Sequence, residues 1–279
     1  MKFHFLLAHR APNVPSQIIL DVSRILRERG HRVNSSIPEE ELCGLHDLPL
    51  DHDLYLLKSY TELSLSLAGA LSAQGANLVN PYDGCAAARN KIVCYQMLKK
   101  ACVPVPNAWI TSDLGSLAPL LRQHALILKP VMGWRGEGIR VVRDERELAA
   151  IPRVPGPLLI QEYIENPGED LRLYVAGEEV FGIRKRFSHT SFAVDGEPVP
   201  VSREMRSIAR LCGRIFGLHL YGIDVIEGAD GPRVVDVNYF PGYKGVRGAA
   251  HVVADHIENY TASIKDTAER EDTMPEVVR

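Results

Sequence analysis

The stretch YGIDVIEGADGPRVVDVNYFPGYKGV, residues 221–246, decides the fold of this chain. Residues 221–226 (YGIDVI) and 233–238 (RVVDVN) are short, rich in β-branched residues and separated by a GADGP turn, which predicts the two strands of an antiparallel hairpin. The following YFPGYKG segment is rich in glycine, proline and aromatic residues, so it is better suited to wrapping around a ligand than to ending a strand. The sequence therefore predicts a hairpin that leads into a functional loop.

Two carboxylates fall on one face of this predicted hairpin. A turn centred on Asp230 places Asp224 opposite Asp236. Because side chains alternate along a strand, Asn238 shares the face of Asp236, whereas Val235 and Val237 share the other. Two carboxylates about 5 Å apart at an effective dielectric of about 20 repel each other by roughly 3 kcal/mol, which a cation between them would offset. The candidate ligands are all oxygens, which favours a hard ion such as Mg²⁺, and solvation on an exposed sheet face is the alternative.

A glycine-rich segment, KPVMGWRGEG at 129–138, lies between two predicted strands. It fits neither a Walker A loop nor a dinucleotide-binding fingerprint, because both need a helix directly after the glycines. The backbone N–H groups of such a segment can still cover phosphates, and Lys129 can supply a positive charge to them. Ordinary turn chemistry is the alternative for Gly133, Gly136 and Gly138.

Two arginines lie on consecutive strands of a second predicted hairpin. LRLYV and VFGIRKRF flank the AGEE turn at 176–179, and they carry Arg172 and Arg186. Arginine suits bidentate contact with a phosphate or a carboxylate. The alternative is that both arginines are surface charges, which is their usual position.

The first 80 residues predict a small parallel α/β lobe, because strand and helix patterns alternate there. The predicted order is strand 3–8, helix 16–29, strand 52–59, helix 61–74 and strand 77–80. Residues 84–101 then predict one helix, and VPVP at 103–106 prevents its continuation. Further along, the sequence predicts strands at 125–130, 139–142 and 158–164, and helices at 144–150, 203–216 and 248–263.

Composition excludes several classes of protein. The chain has 279 residues and a net charge of -3, so a broad basic face for nucleic acid is not expected. Its 5 cysteines include no CxxC pair, which argues against a zinc site or a disulfide framework. The apolar run at the start is too short for a signal peptide, and no segment approaches the ~18 apolar residues of a membrane span. A cytoplasmic protein without nucleic-acid or membrane partners is therefore expected.

Seven elements occur in an order that resembles the ATP-grasp superfamily, most closely its RimK-like branch of carboxylate–amine ligases. They are RNK (89–91), ILKPVMGWRGEGI (127–139), LIQEYI (159–164), GEDLRLYV (168–175), IRKR (183–186), GIDVI (222–226) and VVDVNYFPGYKGV (234–246). The resemblance covers about residues 80–262 and implies an α/β fold of the ATP-grasp type. An N-terminal Rossmann-like lobe at 1–83 would precede a central lobe at 84–160 and a C-terminal lobe at 161–265, which together sandwich ATP, with a charged tail at 266–279.

The resemblance also implies how ATP would be bound. The phosphates would be contacted by Lys91 and Lys129 and covered by Gly133, Gly136 and Gly138. The strand beside the adenine would be Glu162, Tyr163 and Ile164, which would act largely through backbone groups. Either Asp170 or the neighbouring Glu169 would lie near the ribose.

Metal and catalytic roles follow from the same resemblance. One or two Mg²⁺ ions, for which Mn²⁺ can substitute, would be held by Asp224, Asp236 and Asn238. Catalytic roles fall to Lys129, Arg172 and Arg186, and the two arginines would face the transferred phosphoryl group and the substrate carboxylate. The RimK-like ligases commonly have Glu where this chain has Asp236, and the shorter side chain changes how two ions could be bridged.

The implied activity is ligation through an acyl phosphate, with ADP and phosphate as products. The substrates would be a small molecule or peptide with a carboxylate and an amine co-substrate, and a homodimer is one assembly that the resemblance allows. The alternative is an inositol phosphate or other small-molecule kinase, because VDVNYFPGYKGV resembles inositol trisphosphate kinases too, although GEDLR looks like the ligases. A nucleotide-binding protein without turnover is a third hypothesis. Candidate substrate contacts are His9, Arg10 and His189.

Overall fold

The computed structural model describes residues 1–9, 16–133, 136–152, 156–166, 168–186 and 195–273, the last six of these as backbone only. Within these residues the chain forms three β-sheets and eight α-helices. The helices are α1 (Gln17–Glu28), α2 (Glu62–Ala73), α3 (Tyr82–Arg89), α4 (Lys91–Lys100), α5 (Ala118–Leu121), α6 (Glu145–Ala149), α7 (Arg203–Phe216) and α8 (Ala249–Thr273). The strands are β1 (Lys2–Leu7), β2 (Arg32–Ser36), β3 (Leu54–Lys58), β4 (Leu78–Val79), β5 (Ala108–Thr111), β6 (Leu126–Pro130), β7 (Arg140–Val142), β8 (Leu158–Glu162), β9 (Glu169–Ala176), β10 (Glu179–Arg186), β11 (Glu197–Val199), β12 (Leu220–Gly228) and β13 (Gly231–Tyr239).

The N-terminal sheet is parallel and has the strand order β2-β1-β3-β4. The predicted parallel α/β arrangement is confirmed for β1, α1, β3, α2 and β4. The sequence analysis missed β2, because Val33 is the one buried residue among five and the remaining residues are polar. A strand with a single buried residue gives no apolar run from which to predict it.

The five-stranded sheet is antiparallel throughout and has the order β11-β10-β9-β12-β13. The predicted hairpin is confirmed as β12 and β13, with Asp224 in register with Asp236. The second predicted hairpin is confirmed as β9 and β10. On the face of the sheet that packs against α7, buried apolar side chains form a core that also includes residues of the N-terminal sheet, α3 and α4.

A β-bulge interrupts the hairpin beside the two aspartates. Asp224 pairs with Asp236 but Val225 pairs with Val234, so Val235 is an extra residue in β13. The prediction that Val235 and Val237 share the apolar face is therefore wrong for Val235, since Val234 takes the core position and is 1% exposed. A bulge locally breaks the alternation on which that prediction depended.

The third sheet, called here the central sheet, has the antiparallel order β5-β8-β6-β7 and a small hydrophobic core of its own. The glycine-rich segment lies between β6 and β7, as predicted. The predicted helix at 84–101 is instead two helices, α3 and α4, because the side chain of Asn90 accepts hydrogen bonds from the N–H groups of Ile92 and Val93 and starts a new helix.

The last helix is longer than the sequence predicted. α8 continues to Thr273 rather than ending near residue 263, so the first part of the predicted tail at 266–279 is helical and residues 274–279 lie outside the described part of the chain. Apolar residues of α8 pack with α1, the N-terminal sheet and the end of the five-stranded sheet. None of the described helices combines the length and the apolar character that crossing a membrane would require. The predicted lobe boundaries stay a prediction.

Candidate active site

A row of charged side chains crosses the five-stranded sheet on the face turned away from α7. Arg172 on β9 is in register with Asp224 on β12, which is in register with Asp236 on β13. Residues in register on neighbouring antiparallel strands project from the same face, so these three side chains are adjacent. The predicted opposition of the two aspartates is confirmed, and the carboxylate row is defined here as Arg172, Asp224 and Asp236.

Each carboxylate already lies beside a positively charged side chain of the protein. Arg172 Nε donates to Asp170 Oδ2 at 3.1 Å and lies 3.7 Å from Asp224 Oδ1. Lys91 Nζ donates to Asp236 Oδ1 at 3.4 Å. The repulsion between the aspartates is therefore partly relieved by side chains, and a metal ion is not the sole means of neutralising them.

The carboxylate row would nevertheless be stabilised by further positive charge. Burial raises the pKa of Asp224 to about 6, the neighbouring Arg172 lowers it, and the charges of Asp170 and Asp236 raise it further. Asp170 is 5% exposed, and its Oδ1 has no hydrogen-bond partner. A buried carboxylate oxygen without a donor is costly, so a ligand that brings a donor or a cation to this place would be stabilised.

Arg186 is not part of this row. It is in register with Glu169, its Nε lies 3.4 Å from Glu169 Oε1, and its side chain is 89% exposed. Side chains alternate along β10, so Lys185, in register with Asp170, shares the face of Arg172 instead. Burial, together with the charge of Arg172, lowers the pKa of Lys185 to about 8. The structure thus brings Lys185 to the site, which the sequence analysis missed although the register of the hairpin would have identified it.

Lys129 reaches from the central sheet to the hairpin. It is 5% exposed, and its Nζ donates to the carbonyl oxygen of the bulged Val235 at 3.0 Å. Burial lowers the pKa of Lys129 to about 8; the charge of Asp236 opposes this shift and that of Lys91 adds to it. The bulge therefore supplies the acceptor that holds this lysine beside the carboxylate row.

Lys91 is the first residue of α4. The Asn90 side chain caps the helix by accepting from the N–H groups of Ile92 and Val93 at 3.1 and 3.2 Å. The Lys91 N–H donates to the Val131 carbonyl at 3.2 Å, which ties the start of α4 to the end of β6. These contacts fix the backbone from which the Lys91 side chain extends to Asp236.

The glycine-rich segment needs its glycines for its own backbone. Gly136 and Gly138 both have φ of +76°, a conformation that other residues rarely adopt. A Cβ at Gly138 would lie 2.7 Å from Pro130 Cγ, and one at Gly133 would lie 3.1 Å from the Pro130 carbonyl oxygen. Turn chemistry thus accounts for these glycines, and all but Gly138 also line the cleft or its side pocket. Residues 134 and 135 lie outside the described part of the chain.

The segment predicted to lie beside the adenine has few free backbone donors. The Glu162 N–H donates to the Asn107 carbonyl at 2.9 Å, and the Tyr163 N–H donates to the Ala125 carbonyl at 2.8 Å. Both of these groups therefore serve the central sheet. The Ile164 carbonyl accepts from Asn166 Nδ2 at 2.7 Å. Any ligand bound along this segment has to use its remaining groups.

One cleft of about 1400 Å³ unites most of these elements. The predicted site residues that line it are Lys129, Gly136, Glu162, Tyr163, Ile164, Asp170, Arg172, Asp224, Asp236 and Asn238. Lys91 and Gly133 line an adjoining narrow pocket together with Asp236 and Asn238. A pocket for a single small ligand commonly measures about 300–1,000 Å³, so the cleft has room for a nucleotide and a second molecule.

Of the predicted substrate contacts, His9 is the one that the structure describes, and it does not line the cleft. His9 is exposed and pairs with Glu40, with 2.9 Å between Nδ1 and Oε1, while Arg10 and His189 lie outside the described residues.

Among the side chains that the structure describes, no three or more from His, Cys, Asp and Glu are grouped for a metal ion. The predicted metal ligands are two aspartates and an asparagine, so they fit an ion that prefers oxygen ligands.

Comparison with known proteins identifies the class of enzyme. The model of the RimK-like ATP-grasp domain matches residues 88–259. The chain therefore belongs to the RimK-like ATP-grasp family. It is 28% identical over 260 residues to a probable alpha-L-glutamate ligase of Pseudoalteromonas translucida (strain TAC 125), a match that covers 85% of this chain and 86% of that protein.

Two solved structures share the fold. The RimK domain ATP-grasp protein of Sphaerobacter thermophilus DSM 20745 gives a TM-score of 0.73 at 19% identity, over 92% of this chain and 100% of that one. The ATP-grasp ligase PsnB, complexed with minimal precursor, Mg and ADP, gives 0.69 at 20% identity, over 93% and 97% of the two chains. The predicted ATP-grasp fold is thus confirmed. Together with the curated relative, the comparisons support the hypothesis that the chain is an ATP-dependent carboxylate–amine ligase, which forms carbon–nitrogen bonds. They do not support the kinase alternative.

Proposed function

We propose that this chain uses ATP to activate a carboxylate as an acyl phosphate, which an amine then attacks to release phosphate. The observation that carries the proposal is the carboxylate row, which lines the cleft together with Lys129 and which Lys91 contacts from the adjoining pocket. Phosphoryl transfer needs charge neutralised from several directions at fixed positions, and these groups come from four separate parts of the fold, α4, β6, β9 and the β12–β13 hairpin. Family membership supports ligation as the fate of the phosphoryl group.

We propose that Asp224, Asp236 and Asn238 hold one or two Mg²⁺ ions. Three oxygen donors on one sheet face suit a hard cation, and the raised pKa of Asp224 marks a carboxylate that a cation would stabilise. Magnesium would supply neutralising charge to the phosphate oxygens, and Mn²⁺, which prefers similar ligands, is expected to replace it. Lys91 would then exchange its hydrogen bond with Asp236 for one with a phosphate.

The remaining cations have distinct proposed roles. Lys129 is held beside the row by the Val235 carbonyl and would contact the phosphates at the place where the central sheet meets the hairpin. Arg172 is fixed by Asp170 and would face the transferred phosphoryl group and the substrate carboxylate. Lys185 would add charge on the same face, in place of the exposed Arg186. The glycine-rich segment would cover the acyl phosphate and exclude water from it.

The nucleoside would lie between the central sheet and β9. The N–H groups of Glu162 and Tyr163 are occupied, so the N–H of Ile164 is the donor of that segment which remains for an adenine. The unpartnered Asp170 Oδ1 suits a ribose hydroxyl, which is a donor. Glu169 is the weaker choice, because its carboxylate is directed to Arg186.

The substrates are proposed from the relatives and from the size of the cleft. A relative is named as an alpha-L-glutamate ligase, so we propose an amino acid as the amine co-substrate. PsnB is described in complex with a minimal precursor, which supports a small molecule or peptide as the carrier of the carboxylate. A cytoplasmic location and a homodimer stay predictions.

The test measures ADP and inorganic phosphate with Mg-ATP and a panel of amino acids, peptides and inositol phosphates. A ligase releases both products only when carboxylate and amine are present together, whereas a kinase releases ADP and keeps the phosphate on its substrate. Asp236→Ala is expected to abolish turnover with an unchanged circular dichroism spectrum. Asp230→Ala, on the exposed turn of the same hairpin, is the matched control. ADP release by Asp236→Ala at the parental rate would refute the metal assignment.

A further inference from the structure

The open end of the β12–β13 hairpin, where β13 ends, is held by hydrogen bonds with three consecutive residues of the N-terminal region. Lys58 Nζ donates to the Phe240 carbonyl, and the Tyr60 hydroxyl donates to the Tyr239 carbonyl. In return, the Tyr239 hydroxyl donates to the Ser59 carbonyl at 2.9 Å. The rings of Tyr60 and Tyr239 are stacked with centroids 4.5 Å apart. Residues 58–60 are called the clamp here.

The other strand of the hairpin is held at the same end by Asn80. This side chain is 0% exposed, and its Oδ1 accepts from the N–H groups of His219 and Leu220 at 2.7 and 2.8 Å. Its Nδ2 donates to the Leu220 carbonyl at 2.7 Å. The Phe240 N–H donates to the same carbonyl at 2.6 Å, so the two points of attachment are neighbours.

The backbone after β13 has a conformation that contacts with other parts of the protein must stabilise. Phe240 and Tyr243 have φ of 38° and 49°, in the left-handed region that bulky residues adopt only when their surroundings impose it. The Tyr243 hydroxyl donates to the Val175 carbonyl at 2.6 Å, and the clamp holds Phe240. Hydrogen bonds to these carbonyls fix the direction of the backbone, which apolar packing alone does not do.

We propose that Lys58, Tyr60 and Asn80 are positioning residues through which the N-terminal sheet sets the spacing of the proposed metal ligands. Asn238 precedes the gripped residues directly, so any displacement of the Tyr239 carbonyl is transmitted to the Asn238 side chain. Asn80 acts in the same way at the start of β12, the strand of Asp224. The inference rests on the proposed function only where it assigns the metal to these ligands.

The experiment compares two Tyr→Phe variants. Tyr60→Phe removes the hydroxyl that grips the hairpin and keeps the stacked ring. Tyr55→Phe is the control, because its hydroxyl donates to the Pro49 carbonyl at 2.6 Å, within the N-terminal region. Each variant loses one hydroxyl–carbonyl hydrogen bond, so a general loss of stability affects both. Hydrogen–deuterium exchange of the amides in 238–243, where Pro241 alone has none, reports the positioning. Mn²⁺ binding with ADP, followed by electron paramagnetic resonance, reports its effect on the site.

Tyr60→Phe is expected to raise exchange at 238–243 and to weaken Mn²⁺ binding, each by about three- to tenfold, the equivalent of one hydrogen bond. Tyr55→Phe should change neither. The inference is overturned if Tyr60→Phe matches the parent in both measurements, or if the two variants have equal effects. If the parent itself binds no Mn²⁺ with ADP, the proposed metal site fails, while the exchange data still decide whether the clamp positions the hairpin.

A second pair of variants tests the clamp independently of the tyrosines. Lys58→Met removes the donor to the Phe240 carbonyl and keeps an unbranched side chain. Lys265→Met is its control, since Lys265 pairs with Asp53 at 2.9 Å on the surface. The same rise in exchange at 238–243 is expected for Lys58→Met alone, and its absence contradicts the role of Lys58.

Discussion

The two antiparallel sheets that line the cleft contribute to it differently. The five-stranded sheet supplies side chains from three neighbouring strands, whereas the central sheet supplies one buried lysine, backbone groups and the glycine-rich segment. The five-stranded sheet shares two hydrophobic cores with the N-terminal sheet, whereas the central sheet has a small core of its own. Charges that must keep a fixed spacing thus lie on the more extensively packed sheet, and the covering elements lie on the less packed one.

The largest effect should come from breaking the carboxylate row. Arg172→Met leaves the buried Asp170 and the partly buried Asp224 without their shared cation, so we expect a loss of about 3 kcal/mol in the free energy of unfolding. Turnover should fall by at least about 100-fold, measured as ADP release. Arg186→Met is the control on the neighbouring strand: because its side chain is 89% exposed, stability should change by less than about 0.5 kcal/mol. Equal losses in both variants would contradict the assignment of the site to one face.

The contribution of the central sheet is tested by Lys129→Met. Turnover should fall by about 100-fold, because the phosphates lose a fixed cation. Stability should be unchanged or higher, since burial disfavours the charged lysine, as its lowered pKa of about 8 indicates. Lys100→Met, an exposed lysine at the end of α4, should behave as the parent does. A Lys129→Met variant with parental ADP release would remove this sheet from the chemistry.

A smaller effect should distinguish substitutions at two glycines of the glycine-rich segment. Both have φ of +76°, so Gly→Ala at either should cost about 1 kcal/mol. At Gly138 a Cβ would also lie 2.7 Å from Pro130 Cγ, whereas at Gly136 it meets open space. Gly138→Ala should therefore raise the KM for ATP more than Gly136→Ala does. The reverse order would show that the segment does not keep this backbone when ATP binds.

The smallest effect is a pH response at a site remote from the cleft. Burial, with a contribution from His219, lowers the pKa of His256 to about 4, compared with 6.5 for an exposed histidine. Between these values the unfolded chain binds more protons, so stability is complete above pH ~6.5 and falls as pH drops toward 4. Urea titrations of His256→Phe should show a shallower pH slope than the parent. The exposed His251→Gln should keep the parental slope.

The hairpin illustrates what could be predicted from the sequence. Alternation and a recognisable turn sufficed to place Asp224 opposite Asp236, because register follows from the position of the turn. The bulge at Val235 could not be predicted, because residues 233–238 carry no glycine or other local mark of an extra residue, and the contact of its carbonyl with Lys129 comes from another sheet. β5 was missed as well, since its four residues are partly or fully exposed and offer no apolar pattern.

The arginine pair shows what strand alternation adds to a motif match. Motif matching paired Arg172 with Arg186 because both lie in matching segments, but strand alternation directs Arg186 outward and Lys185 inward. Counting residues from the AGEE turn would have made this distinction. The clamp could not have been found in this way, because residues 58–60 contact a segment about 180 residues later in the chain.

The start of α4 has a consequence for how ligand binding and folding are linked. Lys91 occupies the end of the helix where the peptide dipoles are already positive, and the first turn contains no acidic residue to compensate. In the free protein this turn therefore carries an unfavourable concentration of like charge, which the carboxylate of Asp236 opposes. An anion bound there would lower that energy, so nucleotide should protect α4 against thermal unfolding beyond what occupancy of the cleft alone provides.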